Sequence, residues 1–457
     1  YQANSTTVGD GLNTSGFRFN ASAPVSQNTA IAKFDYNLTT KQVLFARFNY
    51  QNDLSTNTRA FPDTPAPQTW NHPRGLAIGH AWTITNNLVN NFRYGVTRDA
   101  FTVGGDSAQN QVSFRFVFSP LNFSRGVSRT TPLQNFIDDV SWTKGAHAIQ
   151  FGGNVRLISN SRTSFAAAYD VAVTNPSYYD LSGDVVLYTY GGSSIFANVG
   201  GSPTDLRNAL TAVIGRFSQY SLNLNYGVDG GLQASGQGVA RKFATQEYEA
   251  YGQDTWKFRP NLTLNLGLRW EFLAPIKVSG GNQLGRLKLG TNGLNDAVIE
   301  RVTTFTNPDY NNFAPQFGFA WSPKVFGEKM VIRGGGGMGY DRLASALFSN
   351  ARFAPPNAAR YSICCGNSAN GGVISATAGT IQFVRSADGA ITGYPRNPTL
   401  GGGFAANGGP NIGQVEIYST YADLPTAWVA RYSTEIQYEL PWKFVATAGY
   451  QGSKGSR

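Results

Sequence analysis

Single charged side chains recur between apolar residues, and they are the first candidates for chemistry. Arg269, for example, stands between Leu268 and Trp270. Charged groups repeated on one face of a sheet could line a path for a polar ligand. The candidates for this path are Arg47, Arg93, Arg156, Arg269, Glu271, Arg333, Arg431 and Glu435.

Other motifs do not support catalysis. The glycine-rich RGGGGMG at 333–339 lacks the GK[ST] ending and the strand–turn–helix setting of a phosphate loop. His72, His80 and His147 are scattered without metal-ligand spacing. No serine lies in a nucleophile motif. We therefore expect no catalytic, cofactor or metal site, and we expect RGGGGMG to be part of a strand.

The net charge of +10 does not indicate a nucleic-acid partner. The 37 Lys and Arg residues are mostly single arginines rather than a clustered patch, and nucleic-acid binding usually needs a clustered basic surface. Charged residues make up only 14% of the chain, against roughly 25% in soluble proteins. This composition favours strands and turns.

The elements that would position these residues are long amphipathic strands. In NLTLNLGLRWEF (261–272), Leu262, Leu264, Leu266 and Leu268 share one face and polar residues occupy the other. Period two predicts a β-strand. Similar segments form six predicted hairpins, with turns at 39–42, 85–88, 144–146, 257–260, 322–329 and 440–443, all at one end of the sheet. Long connections run over 52–74, 99–135, 159–246, 273–312 and 341–427, and VSFRFVF, DVVLYTY and YSLNLNY within them resemble three further strands.

Three features favour a membrane barrel over a soluble antiparallel sheet, which alternates in the same way. Twelve residues extend ~40 Å, and at ~45° tilt they span ~28 Å, close to the bilayer core. Short turns alternate with long loops, as in outer-membrane barrels. Tryptophans lie at both strand ends, as in the two aromatic girdles of a barrel. The girdle residues are Trp82, Trp142, Trp256, Trp321 and Trp442 near short turns, and Trp270 and Trp428 at the far ends.

We therefore predict an all-β, antiparallel transmembrane β-barrel with short periplasmic turns and long extracellular loops, so the charged candidates face its lumen. Asp138 and Asp254 fall on the apolar face. Either both lie at a membrane interface or a β-bulge reverses the alternation. Cys364 and Cys365 lie in a predicted extracellular loop, where the environment is oxidising. A disulfide between neighbours is strained, so a free pair and a disulfide both stay open, with the disulfide slightly favoured.

The hairpins resemble those of Oar-like TonB-dependent receptors. YGQDTWKFRPNLTLNLGLRWEF is similar to that family's QDxW…PNLTLNLGLRYE, and NNFAPQFGFAWSP…VIRGGGGMGYD to NNFAPRxGFAW…RGGYGxxYD. SWTKGAHAIQFGGNVR resembles SWxKGxHxxKFGGxxR, and the final YSTEIQYELPW…AGYQGSKGSR the closing WSxxxQxxLP…YVGSKGxR. One departure is Gln316, where the family usually has Arg.

The resemblance implies an outer-membrane barrel of about 22 strands with an N-terminal plug, often preceded by a carboxypeptidase-regulatory-like domain. Transport would be energised through TonB, ExbB and ExbD. We expect residues 1–457 to be a fragment of that barrel, with about 12–15 strands and without the plug or the N-terminal domain. Its partners would be outer-membrane lipid, the TonB complex and an unidentified extracellular ligand. A passive porin-like channel and a surface adhesin or structural barrel are the alternatives.

Overall fold

The structure is a computed structural model that describes residues 1–8, 15–115, 119–174, 189–190, 193–194, 208–209, 217–229, 231–281, 284–327, 329–342, 349–354, 357–364 and 418–456. Within these residues the chain is almost entirely β. The strands are β1 (Val25–Thr39), β2 (Gln42–Thr56), β3 (Gln68–Asn71), β4 (Arg74–Thr85), β5 (Leu88–Val103), β6 (Gln111–Ser113), β7 (Val127–Lys144), β8 (His147–Ser164), β9 (Val171–Thr174), β10 (Thr189–Tyr190), β11 (Ser193–Ser194), β12 (Phe217–Asn225), β13 (Val239–Arg259), β14 (Leu262–Leu273), β15 (Lys277–Val278), β16 (Leu284–Gly290), β17 (Gly293–Val302), β18 (Phe313–Trp321), β19 (Met330–Asp341), β20 (Ala358–Cys364), β21 (Ala427–Glu439) and β22 (Val445–Ser456). Short 3-10 helices occur at Lys324–Phe326, Ala351–Phe353 and Pro441–Lys443. No helix in the described part of the chain is long and apolar enough to cross a membrane.

One antiparallel sheet of 14 strands dominates the fold. Twelve long strands follow each other across it in the order β1, β2, β4, β5, β7, β8, β13, β14, β18, β19, β21 and β22. The short strand β3 continues the line of β4 between β2 and β5, and β15 pairs with the first part of β13. The predicted antiparallel sheet is therefore confirmed, and each long strand pairs with its neighbours in the sequence.

The six predicted hairpins are also confirmed, and their turns lie at one end of the sheet because every strand runs opposite to the next. The turn predicted at 257–260 is displaced, since β13 continues to Arg259 and β14 begins at Leu262. The other five turns lie within or at the predicted positions. The five long connections consequently share the opposite end of the sheet.

Several strands extend well beyond the predicted ends. β8 continues to Ser164 and β13 begins at Val239, although both stretches had been assigned to a loop. Their backbone pairing is unbroken there, but the apolar–polar alternation is lost. Apolar and polar residues alternate in a strand where its two faces meet unlike environments. The alternation therefore fades where the strands extend beyond those environments, although backbone pairing continues.

The long connections form a second layer of structure, which we call the cap. It comprises a four-stranded sheet in the order β20, β12, β9 and β6, the β16–β17 hairpin, and residues 349–354 and 357. The parallel β6–β9 pair is the exception to antiparallel pairing. A buried cluster of Phe243, Ile276, Val278, Leu284, Phe305 and Ala351 joins the cap to the extension of β13.

The β16–β17 hairpin carries its own ion pairs. Lys288 Nζ and Arg286 Nη2 each lie 3.1 Å from the Glu300 carboxylate. These hydrogen bonds lower the pKa of Glu300 below its ordinary value. The hairpin is thus stabilised by a carboxylate that must stay ionised.

The three predicted loop strands are corrected in part. YSLNLNY lies mostly within β12, whereas VSFRFVF contributes only its first two residues to β6. Of DVVLYTY, only Thr189 and Tyr190 lie among the described residues, in β10. Cys364 ends β20, and Cys365 lies outside the described residues.

The sheet has two free edges within the described residues. There β1 pairs with β2 alone and β22 with β21 alone. Both edge strands are long, at 15 and 12 residues, and nearly every residue in them is exposed. Over the described residues the sheet is therefore open.

Candidate functional site: an ion-pair network on the polar face

A network of ion pairs crosses three neighbouring strands on the polar face of the sheet. Glu249 of β13 is directly opposite Asn154 of β8 and Glu271 of β14. Two carboxylates opposite each other repel unless cations separate them. Arg156 of β8 supplies one cation through a hydrogen bond from Nη2 to Glu249 Oε1. Arg269 supplies the other, with Nη1 lying 3.7 Å from Glu249 and 3.8 Å from Glu271.

An arginine at the long-loop end of the sheet completes this network. Arg342, just after β19, donates from Nε to Glu247 Oε1 at 2.6 Å and from Nη1 to the Thr245 hydroxyl at 3.1 Å. Arg156 Nε lies 2.8 Å from the other oxygen of Glu247. Glu247 is only 5% exposed, so this carboxylate depends on both arginines. The network thereby ties the residue that leads out of β19 to the wall of the sheet.

A second cluster continues the polar face toward β5. The Arg93 guanidinium pairs with Asp139 of β7. The Tyr251 hydroxyl of β13 donates to the other oxygen of Asp139 at 2.7 Å, reaching across β8. Small residues on β8 make this reach possible, because Gly152 lies directly between Asp139 and Tyr251. A Cβ atom at Gly152 would come within 2.7 Å of the Asp139 carboxylate.

The network is balanced in charge. Three arginines (Arg156, Arg269 and Arg342) meet three glutamates (Glu247, Glu249 and Glu271). Toward the short turns the same face carries hydrogen bonds between neutral side chains, from Gln253 to Gln150 and from Thr255 to Asn265.

Beside the ion-pair network, the polar face carries a patch of glycines. Glycines follow one another across β14, β18 and β19, where Gly267, Gly318 and Gly337 lie on the polar face. They border a concavity of about 780 Å³, whose rim includes Gln253, Asn265, Gln316 and Arg431. Gln316 leans over Gly337, where an added Cβ would meet Gln316 Cγ at 3.0 Å. A concavity with exposed glycine backbone, next to charged side chains, can accept a bulky group.

The sequence matches the family described as outer membrane beta barrel domain over residues 1–457. The chain belongs to this family. Its place is therefore the bacterial outer membrane, as predicted. No curated protein matches the sequence.

Several solved outer-membrane proteins are similar in fold. They include the outer membrane transporter YddB from Escherichia coli, with 11% identity and a TM-score of 0.48 over 94% of this chain and 40% of that one. The alcaligin outer membrane receptor FauA from Bordetella pertussis has 10% identity and a TM-score of 0.44, over 94% and 44%. The copper transporter OprC has 7% identity and a TM-score of 0.44, over 94% and 45%. The chain thus spans less than half the length of these three proteins.

The structure brings together only some of the predicted ligand-path residues in this barrel domain. Arg156, Arg269 and Glu271 share the network, and Arg93 belongs to the neighbouring cluster. Arg333 and Glu435 are directly opposite each other on β19 and β21, and Arg431 borders the concavity. Arg47 lies apart on β2, opposite Lys33 of β1.

Sequence reasoning missed Glu247 and Glu249, two of the three glutamates of the network. Tyr251, Asp139 and Arg342 are likewise absent from the predicted site residues. A signal was present for Glu249, because the β13–β14 hairpin puts it opposite Glu271. Arg342 gave no such signal, since it lies outside the alternating segments.

The apolar face of the barrel domain carries the predicted tryptophans. Trp82, Trp142, Trp256 and Trp321 lie within a few residues of short turns, and Trp442 lies in one. Trp270 and Trp428 lie toward the opposite ends of β14 and β21, and Trp270 Nε1 donates to the Tyr310 carbonyl at 2.8 Å.

The two carboxylates on the apolar face are not explained by a bulge. Registers through Asp138 and Asp254 are continuous with both neighbouring strands. Each carboxylate instead has a polar neighbour on that face. Asn90 donates to Asp138 at 2.6 Å, and His147 Nδ1 lies 2.6 Å from Asp254. The apolar surface therefore contains two small polar patches, both in the half nearer the short turns.

Proposed function

We propose that this domain is the barrel portion of an Oar-like TonB-dependent receptor. Its extracellular loops and lumen would bind a solute, and TonB, ExbB and ExbD would energise uptake through an N-terminal plug. The polar face borders the lumen in this proposal, because the apolar face must meet lipid. The tryptophans at the two strand ends then mark the two membrane interfaces. The family and the ordered hairpin motifs support this assignment.

The observation that carries the proposal is the junction between Arg342 and Glu247. It joins the barrel wall to the start of the 342–426 connection through a deeply buried carboxylate. A passive pore needs a hydrated, unobstructed wall. A wall tied by buried ion pairs to a folded cap favours a lumen whose outer entrance is shaped by the loops, as ligand capture requires.

We also propose that further strands complete the barrel at β1 and β22. Each unpaired backbone group facing lipid costs several kcal/mol. Exposed edges of 15 and 12 residues would therefore be untenable in a membrane. Pairing both edges with additional strands removes this cost and gives the larger barrel that the motifs imply.

Two measurements on the full-length protein test the receptor assignment without knowledge of the ligand. The first is binding of the purified periplasmic domain of TonB, which we expect to be specific and to require the segment before the barrel. The second is conductance in planar lipid bilayers, where a plugged receptor should give no steady open channel. Steady large conductance together with no TonB binding would overturn the proposal in favour of a passive porin.

A further inference from the structure

A row of arginines crosses the polar face between the ion-pair network and the cap. Arg162 of β8 lies directly opposite Arg129 of β7 on one side and Arg241 of β13 on the other. Arg162 is six positions from Arg156, and Arg241 is six positions from Glu247. An even offset in a strand keeps side chains on one face, so the row shares the face of the ion-pair network. Like charges directly opposite one another in a sheet are destabilising. The row therefore needs a source of negative charge.

The described residues supply very little of it. Arg129 Nη2 lies 3.4 Å from Asp99, in a pair that is substantially exposed. Arg241 donates to the Asn357 side chain and to the carbonyls of Tyr226 and Ala240, all of which are neutral. Arg162 has no hydrogen-bond or ion-pair partner among the described residues, and its buried Nε is unsatisfied there. This contrasts with the network below, where arginine and glutamate are equal in number.

A fourth arginine approaches the row from the cap. Arg352 is 2% exposed and donates to the Ser349 carbonyl and the Asn350 side chain. Within the described part of the chain its buried Nε has no acceptor. Burial, and secondarily the charge of Arg162, lowers the pKa of Arg352 to about 10. A guanidinium at neutral pH stays protonated even so, and this one lies over the Phe353 ring at 3.9 Å with no carboxylate partner among the described residues.

A cavity of about 150 Å³ lies at this junction. Arg129, Arg162 and Asn160 line it together with Thr131, Phe243 and Ser349. Asn160 donates to the Thr131 hydroxyl at 3.1 Å, which leaves the hydroxyl proton of Thr131 free to point elsewhere. The cavity is large enough for several waters or one compact anion. Guanidinium groups recognise planar or tetrahedral oxyanions through paired N–H donors.

We infer that the Arg129–Arg162 cavity is a binding site for an oxyanion, namely a carboxylate or phosphate group of an extracellular solute. It deepens the proposed function by naming a chemical group of the ligand, and it rests on the polar face bordering the lumen. Arg129 and Arg162 hold the oxyanion directly. Arg241 and Arg352 raise the local positive potential, and Thr131 supplies a neutral donor.

The test uses full-length protein extracted in mild detergent from outer membranes. Thermal unfolding midpoints are measured in sodium phosphate, sodium acetate and sodium chloride at matched ionic strength, and phosphate binding is followed by 31P line broadening. We expect a saturable rise of the midpoint with phosphate or acetate that chloride does not reproduce. The more effective of the two anions identifies which oxyanion the site prefers.

Arg162→Gln should weaken oxyanion binding by about tenfold or more, the effect of losing a charged hydrogen-bond donor. Its midpoint in chloride should equal or exceed that of the unaltered protein, because an unpaired guanidinium has been removed. Arg301→Gln, at an exposed position of β17, is the matched control and should bind normally. If Arg162→Gln does not fold, Arg129→Gln replaces it with the same expected loss of binding.

Full retention of binding in both variants, or an equal effect of chloride, would overturn the inference. The proposed function has a separate readout, since TonB binding and bilayer conductance do not depend on this cavity. Absence of saturable oxyanion binding in the unaltered protein, with TonB binding intact, would therefore count against the cavity alone.

Discussion

Arginine substitutions at two neighbouring outward positions of β14 test both the facing of the sheet and the unusual place of Asp254. Leu266 and Leu268 are similarly exposed, at 43% and 51%. Leu268 is flanked by Gly252 and Pro315, neither of which can neutralise a cation. Leu268→Arg should therefore cost ~2–4 kcal/mol of folding free energy, the range for arginine near the bilayer midplane.

Leu266→Arg should cost less, because Leu266 is directly opposite Asp254. One oxygen of Asp254 contacts His147, and the other is buried without a partner in the described residues. An arginine at 266 can pair with that second oxygen. We expect its cost to be smaller by about 1 kcal/mol, the upper end for an oppositely charged cross-strand pair. In an Asp254→Asn background this advantage should disappear.

The measurement is denaturant unfolding of the full-length protein in lipid vesicles, followed by tryptophan fluorescence. Thr263→Arg, on the polar face of the same strand, is the control and should be tolerated. Equal costs for Thr263→Arg and Leu268→Arg would refute the assignment of the two faces. A cost for Leu266→Arg that matches Leu268→Arg and ignores Asp254→Asn would refute the role of the Asp254 oxygen.

Three further changes probe the polar face and the cap. Glu249→Gln should lower the free energy of unfolding by ~1–3 kcal/mol, because two arginines share this carboxylate, while Glu439→Gln at an exposed strand end should change it little. Gly335→Ala should lower the unfolding midpoint in the same assay and Gly339→Ala should not, since a Cβ at Gly335 meets the Phe317 carbonyl at 2.7 Å and one at Gly339 meets nothing within 4 Å. Because the pKa of Glu300 is depressed in the folded state, its stabilisation is present at neutral pH and is lost below about pH 4. Hydrogen-exchange protection of the β16–β17 hairpin, corrected for intrinsic rates, should therefore fall below about pH 4 in the unaltered protein. In Glu300→Gln this protection should be independent of pH.

The hairpins could be predicted from sequence because each is local and amphipathic. Within NLTLNLGLRWEF, alternation alone fixes which side chains share a face, and the next turn fixes the partner strand. The cap could not be predicted in this way. Its strand β12 pairs with β20 across well over a hundred residues, and β6 pairs with β9 in parallel. Such contacts are set by tertiary packing around residues such as Phe243 and Leu284, and no local period records them.

The network was predictable only in half, for a related reason. Arginines between leucines stand out in a sequence, so Arg156 and Arg269 were chosen. Glutamates in EYEAYGQD are less conspicuous, although register makes them the necessary partners. Arg342 enters from an irregular segment, and only the folded chain brings it to Glu247.

The two arginine groups on the polar face differ in a way that follows from their partners. In the network, each glutamate carboxylate is shared by or lies beside an arginine, and the charges cancel over a few ångströms. Nearer the cap, the three arginines of the row and Arg352 together have one carboxylate partner among the described residues, Asp99 at 3.4 Å from Arg129. In the proposed receptor, a solute that enters from the cap would meet this positive charge first and the neutralised network afterwards. That order favours capture of an anionic group at the entrance without trapping it deeper in the lumen.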